Sequence, residues 1–185
     1  MQDYAWIEEE IQESIAVKMA LGQESVPVIA EIAVRILERL QAGGKLILFG
    51  NGGSAADAQH IAAELVGRYR AEREALPAIA LTTNTSALTA IGNDYGFEEV
   101  FARQLSALGH PGDVALALST SGNSANVMRA LEVARERGLF TIGLSGRTGG
   151  RMRTLVDVCL CVPSEATPRI QEAHILVGHI LSGVV

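Results

Sequence analysis

Apolar residues recur with a helical period in two stretches near the beginning of the chain. The first stretch has one at every third or fourth position, namely Tyr4, Ile7, Ile11, Ile15 and Met19. The second has a wider apolar face, made of Ile29, Ile32, Ala33, Ile36, Leu37 and Leu40. Because Ser25 and Pro27 suit the start of a helix, the pattern predicts two amphipathic helices over residues 3–42. Either the rest of the chain or another subunit can cover their apolar faces.

From Lys45 onward, short apolar runs alternate with helical patterns. The runs occupy residues 46–49, 78–81, 114–118, 139–144 and 156–162, and the helical patterns lie near 54–66, 85–92, 97–107, 124–137 and 168–184. Strands and helices alternating on this scale predict βαβ units, and therefore a parallel sheet with helices on both faces. The predicted fold is α/β, a three-layer α/β/α sandwich with a five-stranded parallel sheet, in a single domain over residues 1–185.

Composition narrows the classes of ligand. The chain has 185 residues, of which 48% are hydrophobic and 19% charged, and its net charge is −6. Nucleic-acid binding depends on clustered lysine and arginine, so this acidic composition argues against nucleic acid as a direct ligand. The chain begins without a basic segment followed by an apolar core, and no apolar run reaches about 18 residues. We therefore expect no signal peptide, no membrane span and a cytoplasmic location.

Two cysteines, Cys159 and Cys161, lie in an apolar run that is predicted to be a strand. Residues two apart on a strand face the same side at a separation of about 6 to 7 Å, which is too far for a disulfide. We expect both to be free thiols.

Three polar loops follow predicted strands: GNGGSAAD begins at residue 50, TTNTSA at 82 and STSGNSAN at 119. In a parallel sheet such loops meet at one edge, where ligands bind. The third loop enters a helix near Ser124 and has hydroxyls but no lysine, which suits a phosphate at the positive end of a helix dipole. One or two such residues would be ordinary helix caps. Five in six positions favour a phosphorylated small molecule over a nucleoside triphosphate.

The first loop also fits a dinucleotide-binding pattern through Gly50, Gly52 and Ala55. That site needs an acidic residue at the end of the second strand, about 20 residues on, to bind the ribose hydroxyls. The second strand ends in Leu-Thr-Thr-Asn instead, which argues against NAD. Asn51 and Ser54 remain able to hydrogen-bond sugar hydroxyls.

Two predicted helices carry further polar side chains. His60, Glu64 and Arg68 are spaced four apart and share one face of their helix, which is either turned to solvent or used for chemistry. In the last helix, Gln171 and His179 stand eight residues apart, about 12 Å of rise. These two reach one point only if their side chains lean together or come from different subunits.

Taken together, GNGGSAADAQHIAAEL, GRYR, PAIAL, GNDYGF, GDVALALSTSGNSANV and RIQEAHILVGHI resemble the sugar isomerase (SIS) domain family over nearly the whole chain. His60, Glu64, Gln171 and His179 narrow the resemblance to its sedoheptulose 7-phosphate isomerases, also called phosphoheptose isomerases. The resemblance implies a doubly wound α/β fold and a homotetramer with active sites between subunits, in which residues 1–42 serve oligomerisation. It implies a sugar phosphate substrate and no membrane partner.

Site residues are also implied by the resemblance. The implied substrate-binding residues are Asn51, Gly52, Gly53, Ser54, Glu64, Arg68, Asn93, Asp94, Ser119, Thr120, Ser121, Ser124 and Gln171, with Ser119, Thr120, Ser121 and Ser124 on the phosphate. Glu64 would be the general base and His179 the general acid of an enediol mechanism. One zinc ion per subunit would be held by His60, Glu64, Gln171 and His179.

The reaction of this family makes D-glycero-D-manno-heptose 7-phosphate. It is the first step toward ADP- or GDP-heptose, which is used for lipopolysaccharide core or surface glycans. One departure concerns Pro168, which stands where some members have an acidic substrate contact, so that contact is not carried over. The alternative from another class is a non-catalytic SIS scaffold that binds a replication-initiator protein. Such relatives tend to lose the catalytic carboxylate, whereas this chain keeps Glu64.

Overall fold

A computed structural model describes residues 4–185. Five parallel strands form one sheet in the order β2-β1-β3-β4-β5. They are β1 (Leu46–Gly50), β2 (Ala78–Ala80), β3 (Val114–Ser119), β4 (Phe140–Ser145) and β5 (Val158–Cys161). The predicted five-stranded parallel sheet is confirmed, with each strand end within two residues of its predicted position.

Eight α-helices and one 3₁₀ turn surround the sheet in the described part of the chain. The helices are α1 (Ala5–Glu24), α2 (Val26–Gln41), α3 (Gly53–Val66), α4 (Thr85–Tyr95), α5 (Val100–Leu108), α6 (Ala125–Glu136), α7 (Met152–Leu155) and α8 (Thr167–Val184). The pattern near 97–107 is divided, because the 3₁₀ turn Phe97–Glu99 precedes α5. The one-turn α7 was not predicted, since four residues are too few to show a helical period.

Two apolar cores lie on opposite faces of the sheet. Leu46 and Leu48 pack on one face with α2, α3 and α8, whereas Ile47 and Phe49 pack on the other with α5 and α6. Side chains alternate between the faces of a strand, so every residue of β1 is buried. Strands covered on both faces read as continuous apolar runs, which is why the sequence pattern located them.

The order in which strands are added to the sheet reverses at β1, because β2 lies on one side of it and β3 on the other. Strands β1 and β3 are neighbours, yet β1 leads into α3 on one face and β3 leads into α6 on the other. The two connecting loops therefore part at the carboxyl edge and leave a crevice between them, the usual ligand site of such sheets.

Among residues 4–185, no helix combines the length and the apolar character needed to cross a bilayer.

One histidine is sealed in the core between α8 and the sheet. His174 has no exposed surface, its Nε2 lies 3.3 Å from the carbonyl oxygen of Ser145, and its Nδ1 has no partner. The carbonyl can only accept, so Nε2 carries the proton and the ring is neutral. Burial lowers the pKa of His174 to about 4, partly offset by the hydrogen bond to Ser145.

This histidine should make the fold sensitive to acid. Below pH 6.5 the unfolded chain binds a proton at His174, whereas the folded chain does so only near pH 4, so stability falls as the pH falls through this window. We expect the wild type to lose about 3 kcal/mol more than His174→Gln between pH 7 and 4. Urea unfolding at several pH values measures this difference.

His110→Gln is the matched control, since His110 is exposed. Its pH dependence should follow the wild type. Parallel pH profiles for His174→Gln and the wild type would contradict the assignment.

Candidate functional site

A reciprocal amide pair closes the base of the crevice. The side-chain NH₂ of Asn51 donates to Oδ1 of Asn126 at 2.8 Å, and that of Asn126 donates to Oδ1 of Asn51 at 2.9 Å. Asn51 follows β1 and Asn126 lies in the first turn of α6, so the pair ties the two diverging loops together. Asn126 was not predicted as a site residue. The position of Asn126 in the STSGNSAN loop was the only feature of the sequence that pointed to the site. This was not enough, because the role of an amide depends on the side chain that faces it.

Around the beginning of α6, the predicted phosphate residues form one turn. The carbonyl oxygen of Ser119 accepts from Ser145 Oγ at 2.9 Å and from the Gly122 amide at 3.0 Å. The hydroxyls of Ser119 and Ser124 lie 3.2 Å apart, and Ser121 is exposed at the tip. The turn therefore presents hydroxyls and free helix-terminal N–H groups, the donor set for an anion.

A second loop supports this turn from behind. Gly122 has a positive φ of 64°, and a Cβ there would collide with the carbonyl of Gly149. The backbone amide of Met152 donates to Gly122 O, and that of Arg151 donates to Asn123 Oδ1, both at 3.0 Å. Glycine is needed at position 122 because its φ is positive and the two backbones touch there.

Beside the turn lies an open pocket of about 220 Å³. Its lining includes Thr120, Ser121, Gly146, Arg147, Thr148 and Ser164. Arg147 donates to the carbonyl of Pro163 at 2.7 Å and brings a positive charge to the rim of this pocket. Arg147 was not predicted as a site residue, because it lies after β4 rather than in one of the three polar loops.

Three of the four predicted zinc ligands meet between α3 and α8. His60 Nε2 lies 2.9 Å from His179 Nε2 and 3.2 Å from Glu64 Oε1. One ligand atom from each residue lies within 4.8 Å of the other two. Two imidazoles and a carboxylate at this spacing fit a zinc ion, whose ligands stand about 2.0 to 2.2 Å from the metal.

The ring of His179 is also held by an aromatic contact. Tyr69 stacks on it with 5.4 Å between ring centroids and 9° between planes. Tyr69, Arg70, Leu176 and His179 contribute to the lining of an open cavity of about 490 Å³. Tyr69 lies in the GRYR segment but was not predicted as a site residue, since stacking on a distant histidine leaves no mark in the local sequence.

The fourth predicted ligand, Gln171, lies elsewhere in this chain. A Cβ on Gly53 would stand 2.5 Å from Gln171 Nε2, so the amide packs against the first turn of α3. Helices α3 and α8 run side by side in the same direction, with Gln171 opposite Gly53 and His179 opposite His60. Gln171 therefore neighbours the Asn51–Gly53 loop, two helical turns from the histidines.

Asp57 lies on the same face of α3, between Gly53 and His60. Its Oδ2 is buried and has no hydrogen-bond partner. Burial raises the pKa of Asp57 to about 6, and the nearby His60 opposes this shift. A carboxylate without a partner in this groove is a further polar group for a ligand to meet.

The remaining predicted residues lie at the surface, except Ser54, which is buried at the start of α3. Arg68 pairs with Glu72 at 3.5 Å, and Asn93 donates to Asp94 at 2.8 Å at the end of α4. Within residues 4–185, no hydrogen bond or ion pair joins Arg68, Asn93 or Asp94 to the other predicted site residues. One chain does not bring them to the crevice.

Comparison with known proteins supports this description. The SIS domain profile matches residues 11–146. A phosphoheptose isomerase of Roseiflexus sp. (strain RS-1) is 57% identical over 180 residues, covering 97% of this chain and 91% of that protein. The structure of a phosphoheptose isomerase from Neisseria gonorrhoeae superposes with a TM-score of 0.92 at 48% identity, covering 97% and 96%. That of a phosphoheptose isomerase from Francisella tularensis gives 0.96 at 37%, covering 100% and 98%.

Proposed function

Because the chain belongs to the phosphoheptose isomerases of the SIS domain family, and is therefore a heptose phosphate isomerase, we propose that it converts sedoheptulose 7-phosphate into D-glycero-D-manno-heptose 7-phosphate. The observation that carries this proposal is the meeting of Glu64 and His179 across α3 and α8, within 4.8 Å of each other. Moving a carbonyl from C2 to C1 needs one group to take a proton and another to return one.

Glu64 is the proposed base and His179 the proposed acid. The carboxylate removes a proton from C1, which leaves an enediolate with its charge on O2. A proton passes from O1 to O2, and the imidazole then delivers a proton to C2 as the carbonyl forms at C1. Stacking on Tyr69 fixes the plane of the His179 ring, so its Nε2 is already aimed at the groove before the substrate binds. Such preorganisation lowers the cost of reaching the reactive geometry.

The phosphate is assigned to Ser119, Thr120, Ser121 and Ser124, and the sugar to Asn51, Gly52, Gly53, Ser54 and Gln171. Hydroxyls and amides at the start of α6 give the phosphate several neutral donors together with the helix dipole. The amide pair with Asn126 supports this assignment, because it fixes Asn51 beside the turn. Arg68, Asn93 and Asp94 are proposed to reach the substrate of a neighbouring subunit.

Zinc is the proposed metal, held by His60, Glu64 and His179 with Gln171 as the fourth ligand. When bound, the ion would polarise the oxygens of the sugar or hold the side chains in place. In one chain the amide of Gln171 lies beside Gly53, away from the other three ligands. Gln171 would therefore reach the zinc ion either by a rotation of its side chain or from another subunit. A carboxylate bound to zinc is a weaker base, so Glu64 would act as the base only when it is not bound to the ion.

We assign residues 1–185 to one SIS domain and place the enzyme in the cytoplasm. Its product would be the first intermediate toward ADP- or GDP-heptose for lipopolysaccharide core or other surface glycans. Membership of the phosphoheptose isomerases supports these three assignments.

A homotetramer is proposed from the apolar surface that one chain leaves uncovered. Trp6 and Met19 on α1 are 64% and 62% exposed. An apolar groove of about 320 Å³ runs between α2 and α8 and is lined by Val26, Ile29, Ala30, Ala33, Val34, Ile180 and Val184. Apolar surface of this kind marks an interface with another chain. Light scattering in solution should give four times 19.6 kDa, and a monomer would contradict the proposal.

The first test of the reaction is the substitution Glu64→Gln. We expect it to lower kcat by about a thousandfold or more and to leave KM nearly unchanged, because the amide keeps the shape but cannot accept the proton. Conversion of sedoheptulose 7-phosphate, followed by NMR, measures both constants.

Glu72→Gln is the control, since Glu72 is an exposed glutamate that pairs with Arg68. It should behave like the wild type. Full turnover by Glu64→Gln would remove Glu64 as the base. The same assay after chelator treatment, with zinc analysis, measures whether turnover depends on the metal.

A second test places a negative charge at the tip of the phosphate turn. Ser121→Asp should raise KM at least about tenfold, because a fixed carboxylate repels the phosphate in a site that has no lysine. Steady-state kinetics with the same substrate measure the change.

Ser106→Asp, an exposed serine on α5, is the matched substitution. It adds the same charge away from the turn and should leave KM unaltered. An equal KM for Ser121→Asp and Ser106→Asp would mean that the phosphate binds elsewhere.

A further inference from the structure

The two cysteines form a pair on an edge strand. Cys159 and Cys161 lie on β5, which pairs only with β4, and both are half-buried free thiols. Their side chains point away from the core that contains Val158 and Leu160. The expectation of free thiols is confirmed, but the sulfur atoms lie only 3.9 Å apart, because the two side chains lean toward each other from their strand positions.

This separation matches that of two sulfur ligands on one metal ion. A tetrahedral ion that binds each sulfur at about 2.3 Å holds the two sulfurs about 3.8 Å apart. The observed 3.9 Å therefore needs almost no movement of either side chain. A disulfide, by contrast, would need the sulfurs to approach to about 2.05 Å, which the strand geometry resists.

The surroundings favour the ionised form that metals bind. The hydrogen bond from Cys159 lowers the pKa of the Cys161 thiol to about 6 against the opposing effect of burial, and Arg153 lowers it further. The same hydrogen bond and burial raise the pKa of Cys159. These effects favour the thiolate at Cys161, and Cys159 must release its proton when an ion binds.

We propose that Cys159 and Cys161 form a second metal site, which takes a thiophilic divalent ion of the Zn²⁺ or Cd²⁺ class. Its sulfur ligands distinguish it from the nitrogen and oxygen ligands of His60, Glu64 and His179. That triad is the one group of three or more metal-ligating side chains among the described residues, so water or a small ligand completes the cysteine site. The positive charge of Arg153 repels a metal ion, but this side chain is exposed and flexible, so its guanidinium can move away from the site.

The site adjoins the loop that supports the phosphate turn. A Cβ on Gly149 would stand 3.0 Å from the sulfur of Cys161, and Gly149 in turn contacts Gly122. The sulfur of Cys161 is therefore packed against this backbone, which limits how far it can move away from that of Cys159. Rigid spacing of two ligands reduces the ordering that an ion must impose.

The test is a titration of the reduced protein with Cd²⁺, followed by the ultraviolet charge-transfer absorption of cadmium–thiolate bonds. Imidazole and carboxylate ligands do not give this band, so the triad is silent in the measurement. We expect saturation at one Cd²⁺ per chain with the intensity of two thiolates. Cys159→Ser and Cys161→Ser should each halve the band and weaken binding by about tenfold or more.

A variant with His60→Ala and His179→Ala together is the matched control, and it should keep the full band. Three results would overturn the proposal: no band when stoichiometric Cd²⁺ is added to this variant, single serine variants that bind as tightly as the wild type, or saturation of this variant at half an equivalent. The last would mean that an ion bridges two chains. Because the readout is independent of turnover, its failure and that of the proposed reaction are distinguishable.

Discussion

The reciprocal amide pair of Asn51 and Asn126 is the interaction on which the site depends. The order of strands reverses between β1 and β3, so the loops that follow these two neighbouring strands lead to opposite faces of the sheet. This opens a crevice at the carboxyl edge. Nothing in the strands themselves fixes how wide that crevice is. The two amide hydrogen bonds across it do so, because each asparagine satisfies the buried donor and acceptor of the other.

A chain with a net negative charge can hold a phosphate only where the local electrostatic potential is positive. The turn at the start of α6 creates such a potential with hydroxyls, backbone N–H groups and the helix dipole. This arrangement requires the backbone to be held closely, since neutral donors act only at hydrogen-bond distance. Gly122, backed by Gly149, and the Ser145 hydroxyl on Ser119 O supply that support. Arg147 and Glu165 both line the pocket beside the turn, so the neutral donors rather than a net positive charge provide this potential.

The sequence was sufficient for the sheet and its loops but not for contacts between distant elements. Continuous apolar runs located the central strands because both faces of the sheet are covered there, and helical spacing placed His60 and Glu64 on one face. Tyr69 and Asn126 escaped prediction because their roles depend on His179 and Asn51, which lie far along the chain. The 3.9 Å sulfur separation depends on side-chain orientation, which strand spacing leaves open.

The exposure of the proposed acid–base pair is a reason to expect a second chain at the site. The side chain of Glu64 is 23% exposed and His179 is half-buried, so water reaches both in a single chain. An enediol must be kept from bulk water, and a carboxylate is a more effective base when its surroundings are dry. The wall that α3 and α8 lack must therefore come from another surface. Arg68, Asn93 and Asp94, which among residues 4–185 form no hydrogen bond or ion pair with the residues of the crevice, are suited to form it in the proposed tetramer.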